Sequence, residues 1–218
     1  MSSKASPRVR LGVDERRKQL IELGLRMFGT RSYDEISIDD IADAAGISKG
    51  LLYHYFSSKR DFYVETVRAA SEMLRSKMVW APSVEPEERI RPGLEAYLDF
   101  VEQYAETYAG FLRSGIGVDV EVRAIVEATR DGFVEQMMAT IGLTEHRPVF
   151  RSSLRGWIGL VEAVALDWID HRDVSRAALL EILETTLRNA VAIAIQLDPV
   201  PSLTATAPES PERAAASQ

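Results

Sequence analysis

Apolar residues recur at helical spacing over most of this chain, and the pattern is sharpest between residues 36 and 60. One apolar stripe predicts a short first helix, formed by Ile38, Ile41, Ala42 and Ala45. A second helix, predicted over 49–56, would bury Leu52 and Phe56, which are four residues apart. The two helices are close enough in sequence to require a tight turn between them.

Capping residues mark the ends of these two helices. Ser37 is placed to cap the first helix, and Asp40, three residues later, is placed to complete a capping box. Gly46 follows where a helix needs a residue that tolerates positive φ. Ser48 is then placed to cap the second helix, and Ser58 to cap a third one. The sequence therefore predicts a helix, a turn and a helix.

The remaining apolar periodicity predicts further helices and no strands. A first helix runs from Asp14 to a stop at Gly29, and a long one runs from Lys59 toward Trp80. Later helices are predicted over 86–108, around Phe111, and over 121–140, 147–171 and 175–197. The fold class is therefore all-α.

Both ends of the chain are predicted to be disordered. Residues 1–13 form a basic arm without apolar periodicity, and residues 198–218 hold four prolines among small and polar residues. The arm could reach a minor groove or remain a solvated tail.

Composition narrows the classes of protein to consider. The chain has 218 residues and no cysteine, which excludes disulfides and Cys-ligated zinc. No signal peptide and no run of 18 apolar residues is found, so a cytoplasmic protein without a membrane span is expected. Net charge is −7, yet the first 60 residues hold 11 Lys and Arg against 8 Asp and Glu. The basic end and the acidic body are thus expected to be different domains.

The outward side of the 49–56 helix has an unusual composition. It presents Lys49, Gly50, Tyr53 and His54, a small, polar and partly aromatic surface that fits a major groove about 12 Å wide. Glycine at position 50 lowers helix stability by about 1 kcal/mol relative to Ala. The presence of glycine is explained if a bulky partner such as DNA approaches the backbone there. Lys59 and Arg60 fall in the first turn of the next helix, where cations oppose the helix dipole. This suggests an anion nearby, and a phosphate bound by the N-terminal amides and Lys59 is the simplest candidate.

Taken together, the run IDDIADAAGISKGLLYHYFSSKRDF over 38–62 resembles the helix-turn-helix of the TetR family of bacterial transcriptional regulators. The resemblance is close over 14–63, and the rest of the chain agrees in length and helical character. The alternative is an ordinary helical hairpin whose aromatic residues are core, but a hairpin does not explain Gly50, Tyr53, His54 and Lys59 together.

The resemblance implies a three-helix, homeodomain-like DNA-binding head over 14–58 and a helical regulatory and dimerisation domain over 59–197. Phosphate contacts are expected from Tyr53, Lys59 and the amides around Ser37 and Ser58. Ser48 is also expected to belong to the DNA-binding site. Base-edge contacts are expected from Lys49, Gly50, Leu51 and His54, Leu51 suiting a thymine methyl group. The partner is double-stranded DNA with a palindromic operator, and repression is expected because the family consists mostly of repressors.

The last two predicted helices, 147–171 and 175–197, have apolar stripes wider than a surface helix needs. Small residues on them would let helix axes approach closely: Gly156, Gly159, Ala163, Ala190 and Ala194. They predict a homodimer through a four-helix interface, which the resemblance also implies. The alternative is that the extra apolar surface packs within one monomer.

A ligand pocket is the least determined feature. Its candidate lining residues are Tyr97, Phe100, Tyr104, Tyr108, Phe111, Phe133, Met137 and Trp157. Each is equally typical of plain core. Glu102, Arg130, Glu162 and Asp167 are polar candidates for orienting a ligand, although each also suits a solvent-facing position or an ion pair. The resemblance implies a small apolar or amphipathic effector that releases DNA.

No catalytic or metal motif accompanies these residues. The three histidines, His54, His146 and His171, form no His-x-x-x-His pair, and Asp167 with His171 is better explained as a helix-end salt bridge. No nucleophile elbow, phosphate loop or dinucleotide motif is present. Neither an enzyme nor a cofactor is expected. The alternative function is a small-molecule carrier whose head is a protein-interaction module.

Overall fold

A computed structural model describes residues 13–77, 86–110, 112, 119–143 and 145–201. In those residues the chain forms nine α-helices and no β-strand. The helices are α1 (Val13–Thr30), α2 (Ile38–Ala45), α3 (Lys49–Tyr55), α4 (Lys59–Lys77), α5 (Pro86–Gln103), α6 (Ala105–Gly110), α7 (Val120–Thr140), α8 (Pro148–His171) and α9 (Arg176–Leu197). The all-α fold class predicted from the apolar spacing is confirmed.

The chain divides into two compact units, each formed from two stretches of sequence. The first unit comprises the described part of Met1–Ser76 together with Gln103–Val126, and the second comprises that of Lys77–Glu102 with Glu127–Gln218. The sequence placed a boundary between residues 58 and 59, which falls inside the first unit. The division of functions at that boundary stays a prediction.

Aromatic rings fill the core of the first unit. Phe56 at the end of α3 and Phe62 on α4 are 2% and 0% exposed, and their ring centroids lie 4.9 Å apart at an angle of 77°. Phe28 of α1 contacts both Phe62 and Tyr63. Burial raises the pKa of Tyr63 to about 12. These rings join α1, α3 and α4 into one core, so α3 is packed against the unit on its buried side.

Gly24 sets the distance between α1 and α4. A Cβ atom at Gly24 would lie 2.4 Å from the Thr66 hydroxyl oxygen and 2.8 Å from a ring carbon of Phe62. The Thr66 hydroxyl is fully buried and donates to the Phe62 carbonyl at 2.8 Å. Only a residue without a side chain allows the two helices to pack at this distance.

In the second unit, α8 and α9 pack along their length. Leu154 and Ile158 of α8 share a buried cluster with Leu187 of α9. The indole N–H of Trp157 donates to the Leu183 carbonyl at 3.1 Å. Arg147 precedes α8 and pairs with Asp198, which follows α9, at 2.7 Å. Apolar burial and these polar contacts together hold the helix pair.

Two predicted segments differ from the structure or lie outside it. The single helix predicted over 86–108 is interrupted at Tyr104, between α5 and α6. No glycine or proline marks this break, and it falls where the chain passes from the second unit into the first. The predictions for residues 1–12, Trp80, Phe111 and 202–218 lie outside the described residues.

Candidate nucleic-acid interface

The turn between α2 and α3 is fixed by backbone hydrogen bonds and one glycine. Gly46 has φ 64°, in the left-handed region. Its N–H donates to the Asp43 carbonyl, and the Ile47 N–H donates to the Ala42 carbonyl, both at 3.0 Å. This pair of bonds closes the end of α2. The predicted turn residue is confirmed, and it sets the direction in which α3 begins.

The start of α2 is closed by the predicted capping box. The Ser37 hydroxyl accepts from the Asp40 N–H at 3.1 Å, and the Asp40 carboxylate accepts from the Ser37 N–H at 2.8 Å. The hydrogen bonds from the Ser37 amide and hydroxyl hold the pKa of Asp40 below its usual value. The Ser37 amide therefore already has a partner within the chain, and its contact with phosphate stays a prediction.

Helix α3 separates buried from outward residues cleanly. Ser48 caps it by accepting from the Leu51 N–H at 3.2 Å, as predicted. Leu52 is 0% exposed, whereas Leu51 and Tyr53 are 40% and 49% exposed. These two side chains lie on opposite flanks of the exposed side of α3, because residues two apart in a helix do not face each other. They form a surface suited to contact with another molecule.

Gly50 lies on the same outward face and has almost no neighbour. A Cβ atom there would approach only the Ser48 hydroxyl oxygen, at 3.9 Å. Its backbone does not adopt positive φ. Neither backbone strain nor packing against the residues that the structure describes therefore requires glycine at this position, unlike at Gly24 or Gly46. Room for an external partner remains the explanation that the sequence suggested.

The two basic residues predicted to read bases have different surroundings. Lys49 is exposed and pairs with Asp39 of α2, with 2.5 Å between the ammonium and the carboxylate. His54 is exposed near the end of α3, and its ring meets that of Tyr55 edge-on at 5.4 Å. Both side chains lie on the surface that carries Leu51 and Tyr53. The structure thus brings together Lys49, Gly50, Leu51, Tyr53 and His54.

Lys59 points into the chain rather than away from it. Its ammonium donates to the carbonyls of Tyr33 and Ile36, both at 2.9 Å, and lies 4.0 Å from the centre of the Tyr33 ring. An ammonium has three N–H donors, so at most one remains for a phosphate. Lys59 thereby ties the loop before α2 to the start of α4, a role that the sequence did not suggest.

The anion that compensates Arg60 belongs to the protein. The Arg60 guanidinium donates to both carboxylate oxygens of Asp119, at 2.7 and 2.9 Å, and to Glu121 at 3.1 Å. These hydrogen bonds raise the pKa of Arg60, and the Arg60 contact holds the pKa of Asp119 below its usual value. The chain itself supplies an anion beside Arg60, and local sequence does not show it because the carboxylate lies 59 residues away. Phosphate contact by the amides at the start of α4 and by Lys59 stays a prediction.

The start of α4 is also capped from within. The Ser58 hydroxyl accepts from the Asp61 N–H at 3.0 Å, and the Asp61 carboxylate accepts from the Ser57 N–H at 2.7 Å. The predicted cap at Ser58 is confirmed. Contact of the Ser58 region with phosphate stays a prediction.

The predicted pocket residues that the structure describes belong to both units. Tyr97 and Phe100 of α5 are buried, and Phe133, Met137 and Trp157 pack against one cluster of the second unit. Tyr104 and Tyr108 belong to the first unit. A shallow groove of about 320 Å³ between α1 and α4, with Ile21, Leu25, Ala69 and Met73 among its lining residues, contains none of these candidates. Their role as a ligand site stays a prediction.

The polar candidates for a ligand are engaged in ion pairs. Arg130 donates to both carboxylate oxygens of Glu162, at 2.9 and 2.7 Å. Glu102 pairs with Arg176 at 2.5 Å. Asp167 and His171 form the expected helix-end pair at 3.3 Å. The described residues hold no cluster of three potential metal ligands, and none of their helices is long and apolar enough to span a membrane.

Among the described residues, α9 exposes an apolar face and α8 has two open glycine positions. Ile182, Ile193 and Leu197 of α9 are 43%, 53% and 68% exposed, and a Cβ at Gly156 or Gly159 of α8 would meet nothing within 4 Å. Ala194, predicted as a small interface residue, is instead fully buried in a core cluster of its own chain. The rest of the predicted interface residues stay candidates.

Sequence reasoning missed the residues that support this surface from a distance. Asp39 pairs with Lys49 and Tyr33 contacts Lys59, and both lysines are predicted to bind DNA. Asp119 pairs with Arg60, which follows Lys59 in the sequence. One signal was available for Asp39, since two adjacent acids begin α2 and a capping box uses only one. No local signal marks the other two.

Two family models match the chain. The model described as "Bacterial regulatory proteins, tetR family" matches residues 20–66, and "Tetracyclin repressor-like, C-terminal domain" matches residues 86–189. The first match contains the whole of α2 and α3, and the second runs from the start of α5 into α9.

Curated proteins and solved structures give the same assignment. The activator FasR from Mycolicibacterium smegmatis is 32% identical over 144 residues, and the repressor KstR2 from Mycobacterium tuberculosis is 34% identical over 94. The FasR match covers 63% of this chain and 66% of FasR, and the KstR2 match covers 42% of this chain and 47% of KstR2. This chain therefore spans less than two thirds of the length of either relative. A TetR-family regulator from Streptomyces coelicolor is 34% identical with a TM-score of 0.79, covering 86% of this chain and 85% of that one. A TetR-like regulator from Rhodococcus sp. RHA1 is 25% identical with a TM-score of 0.69, covering 84% and 99%.

Proposed function

This chain belongs to the TetR family of bacterial regulatory proteins, and from that premise we propose that it is a sequence-specific DNA-binding transcriptional regulator. The observation that carries the proposal is the outward face of α3. Leu51 and Tyr53 are exposed on the same helix as Gly50, which neither its backbone φ nor packing against the described residues requires to be glycine. A helix face of this width and composition suits the major groove.

Each outward side chain has a role in this proposal. Lys49 and His54 donate to base edges, Leu51 contacts a thymine methyl group, and Gly50 allows close approach of the backbone. Tyr53 contacts phosphate through its hydroxyl group. Lys59 adds at most one donor to phosphate, since two of its three are engaged by carbonyls.

A homodimer through α8 and α9 completes the proposal. The exposed Ile182, Ile193 and Leu197 give α9 an apolar surface, and the open positions at Gly156 and Gly159 allow a facing helix to approach α8 closely. A two-fold dimer presents two α3 helices to two half-sites and therefore binds a palindromic operator. Burial of these side chains against a second copy removes their contact with water.

Regulation by a small apolar or amphipathic molecule is the last part of the proposal. The second unit offers Phe133, Met137 and Trp157 around one apolar cluster, with Tyr97 and Phe100 on α5. Release of DNA on binding of such a molecule would make the protein a repressor. FasR is an activator and KstR2 a repressor, so a reporter fused to the operator is needed to determine the sign.

Substitutions on α3 test the assignment of roles. Tyr53→Ala should weaken binding to all duplexes alike, because a phosphate contact carries no sequence information. Lys49→Ala and His54→Ala should in addition relax the preference at particular base pairs, each by about 1–3 kcal/mol. The measurement is affinity as a function of salt for duplexes selected from a randomised library, with Lys18→Ala, an exposed lysine of α1, as the control.

The carrier alternative predicts a different result. A chain that selects no duplex sequence and binds DNA without a steep salt dependence is not a regulator of this kind. Unchanged selectivity in both Lys49→Ala and His54→Ala would remove the base-reading roles. Mass spectrometry of small molecules that copurify with the full chain tests the effector separately.

A further inference from the structure

Two adjacent carboxylates begin α2, and they have different partners. Asp40 closes the capping box with Ser37. Asp39 instead pairs with Lys49 of α3, at 2.5 Å. The two side chains are 59% and 54% exposed, so their ion pair contributes little to stability. Because this ion pair between α2 and α3 adds little to stability, we expect its role to lie in DNA binding.

We propose that Asp39 is a positioning residue that determines specificity, because it holds the Lys49 ammonium where it meets base edges instead of phosphates. The proposal rests on the proposed function, in which α3 lies in the major groove. A lysine without a fixed partner is a compact charge on a flexible four-carbon stem. Such a charge is drawn to phosphates, which are present at every sequence.

The donors that remain on Lys49 indicate the base. Its ammonium has three N–H donors, and Asp39 accepts one of them. Two donors are left for two neighbouring acceptors. In the major groove, guanine presents such a pair in N7 and O6, and no other base does. The held lysine is therefore matched to a guanine.

Asp39 also works against wrong sequences. The Asp39 carboxylate lies on α2, next to α3, and its negative charge repels the phosphates of any duplex that approaches. A good contact between Lys49 and guanine compensates this repulsion, and other sequences leave it uncompensated. Specificity is a difference of affinities, and a repulsive element increases that difference while lowering affinity overall.

The experiment compares two duplexes, one selected by the wild-type chain from a randomised library and one with the same bases shuffled. The measured quantity is the Kd for the shuffled duplex divided by the Kd for the selected duplex, called the ratio below. Asp39→Asn should tighten binding to the shuffled duplex and lower the ratio by about ten-fold. For the shuffled duplex, the slope of log affinity against log salt concentration should steepen by about one released counterion, because Lys49 then reaches phosphate.

Three further variants separate this role from a general effect of charge. Glu22→Gln makes the same charge change at an exposed position of α1 and should leave the ratio unchanged. Asp39→Glu keeps a carboxylate within reach of Lys49 and should retain most of the ratio. Asp39→Asn should cause no further loss when combined with Lys49→Ala, since the carboxylate acts through that lysine.

Two results would overturn the proposal alone. One is a ratio for Asp39→Asn equal to that of the wild type, and the other is an equal loss with and without Lys49. In both cases the wild-type chain still selects a sequence, so the regulator itself stands. A wild-type chain that enriches no sequence would overturn this inference together with the proposed function.

Discussion

At the scale of single residues, the same residue type has opposite roles at different positions of the first unit. Lys49 and Lys59 are both near a helix start, yet one is exposed on α3 and the other donates to two carbonyls. Gly24 is required by close packing, whereas in the described part of the chain a Cβ at Gly50 would meet only the Ser48 hydroxyl oxygen, at 3.9 Å. The surroundings of a residue, and not its type, decide which role it has.

Lys59→Met tests whether the lysine mainly supports the fold. The change keeps the length of the side chain and leaves the carbonyls of Tyr33 and Ile36 without their donor, so stability should fall by about 1–3 kcal/mol. Thermal unfolding measures it, with Lys18→Met as an exposed control that should stay within about 0.5 kcal/mol of the wild type. Full stability combined with weaker DNA binding would show that phosphate contact is the main role.

A pair of glycine substitutions should give opposite results. Gly24→Ala should destabilise the protein by roughly 1–2 kcal/mol, because the clash with Thr66 and Phe62 outweighs the gain in helix propensity. Gly50→Ala should stabilise it by up to about 1 kcal/mol, since the described residues leave room for a methyl group there, and it should weaken DNA binding. Thermal unfolding and DNA affinity are measured for both. Gly50→Ala with wild-type affinity would contradict close approach of DNA at this position.

At the scale of helices, three arginine pairs hold α4 in the first unit. Arg17 of α1 donates to Glu65 of α4 at 2.6 Å, and Arg60 and Arg68 of α4 each donate to Glu121 of α7. Asp119 joins this group and caps α7 as well, since its carboxylate accepts from the Glu121 and Val122 amides at 2.9 and 3.2 Å. The start of α4, next to α3, thus depends on the start of α7.

Asp119→Asn should lower the thermal midpoint at neutral pH by about 2–4 °C, because the charged partner of Arg60 is lost. The pKa of Asp119 in the folded chain lies below its ordinary value of 3.8. The carboxylate therefore stabilises the fold above that value, and its contribution is lost as pH falls through the lower folded pKa. The difference between wild type and Asp119→Asn should be constant near neutral pH and shrink in acid. Unfolding measured across pH tests this, and a difference that grows in acid would contradict it.

At the scale of the whole molecule, the proposed regulator requires two copies of the chain. The exposed apolar residues of α9 have contact with water in one chain, and a second copy is the occupant expected for this family. In the proposed dimer, two short α3 helices would bind both half-sites together, which raises the affinity above that of one helix. Dimerisation and DNA binding are therefore expected to fail together.

Ile193→Glu tests this dependence. The residue is 53% exposed in one chain, so a charge there costs little in the monomer and much in an apolar interface. The variant should be monomeric by light scattering, and its affinity for a palindromic duplex should fall by at least about 100-fold. Val13→Glu, at a 62% exposed position of α1, should remain dimeric. A dimeric Ile193→Glu variant would exclude this face as the interface.

Much of the fold and of the outward α3 surface was predictable because the signals are local. Ser37, Asp40, Gly46 and Ser48 act on backbone groups within a few residues, and the structure shows each in its predicted role. The break between α5 and α6 was not predictable, because it has no breaker residue and coincides with the passage between units. The candidate pocket was only a set of aromatic residues, which helical spacing does not distinguish from core.

The sequence by itself determined the helices, their caps, and the exposed side of α3, since these follow from periodicity and from bonds between near neighbours. Only the tertiary structure decided the partners of the charges, because an ion pair joins atoms that are close in space and far apart along the chain. Arg60 meets Asp119, Lys59 meets the carbonyls before α2, and Lys49 meets Asp39 across the turn. Two of these cations, Lys59 and Arg60, lie where the sequence suggested a bound anion, and each has partners within the fold.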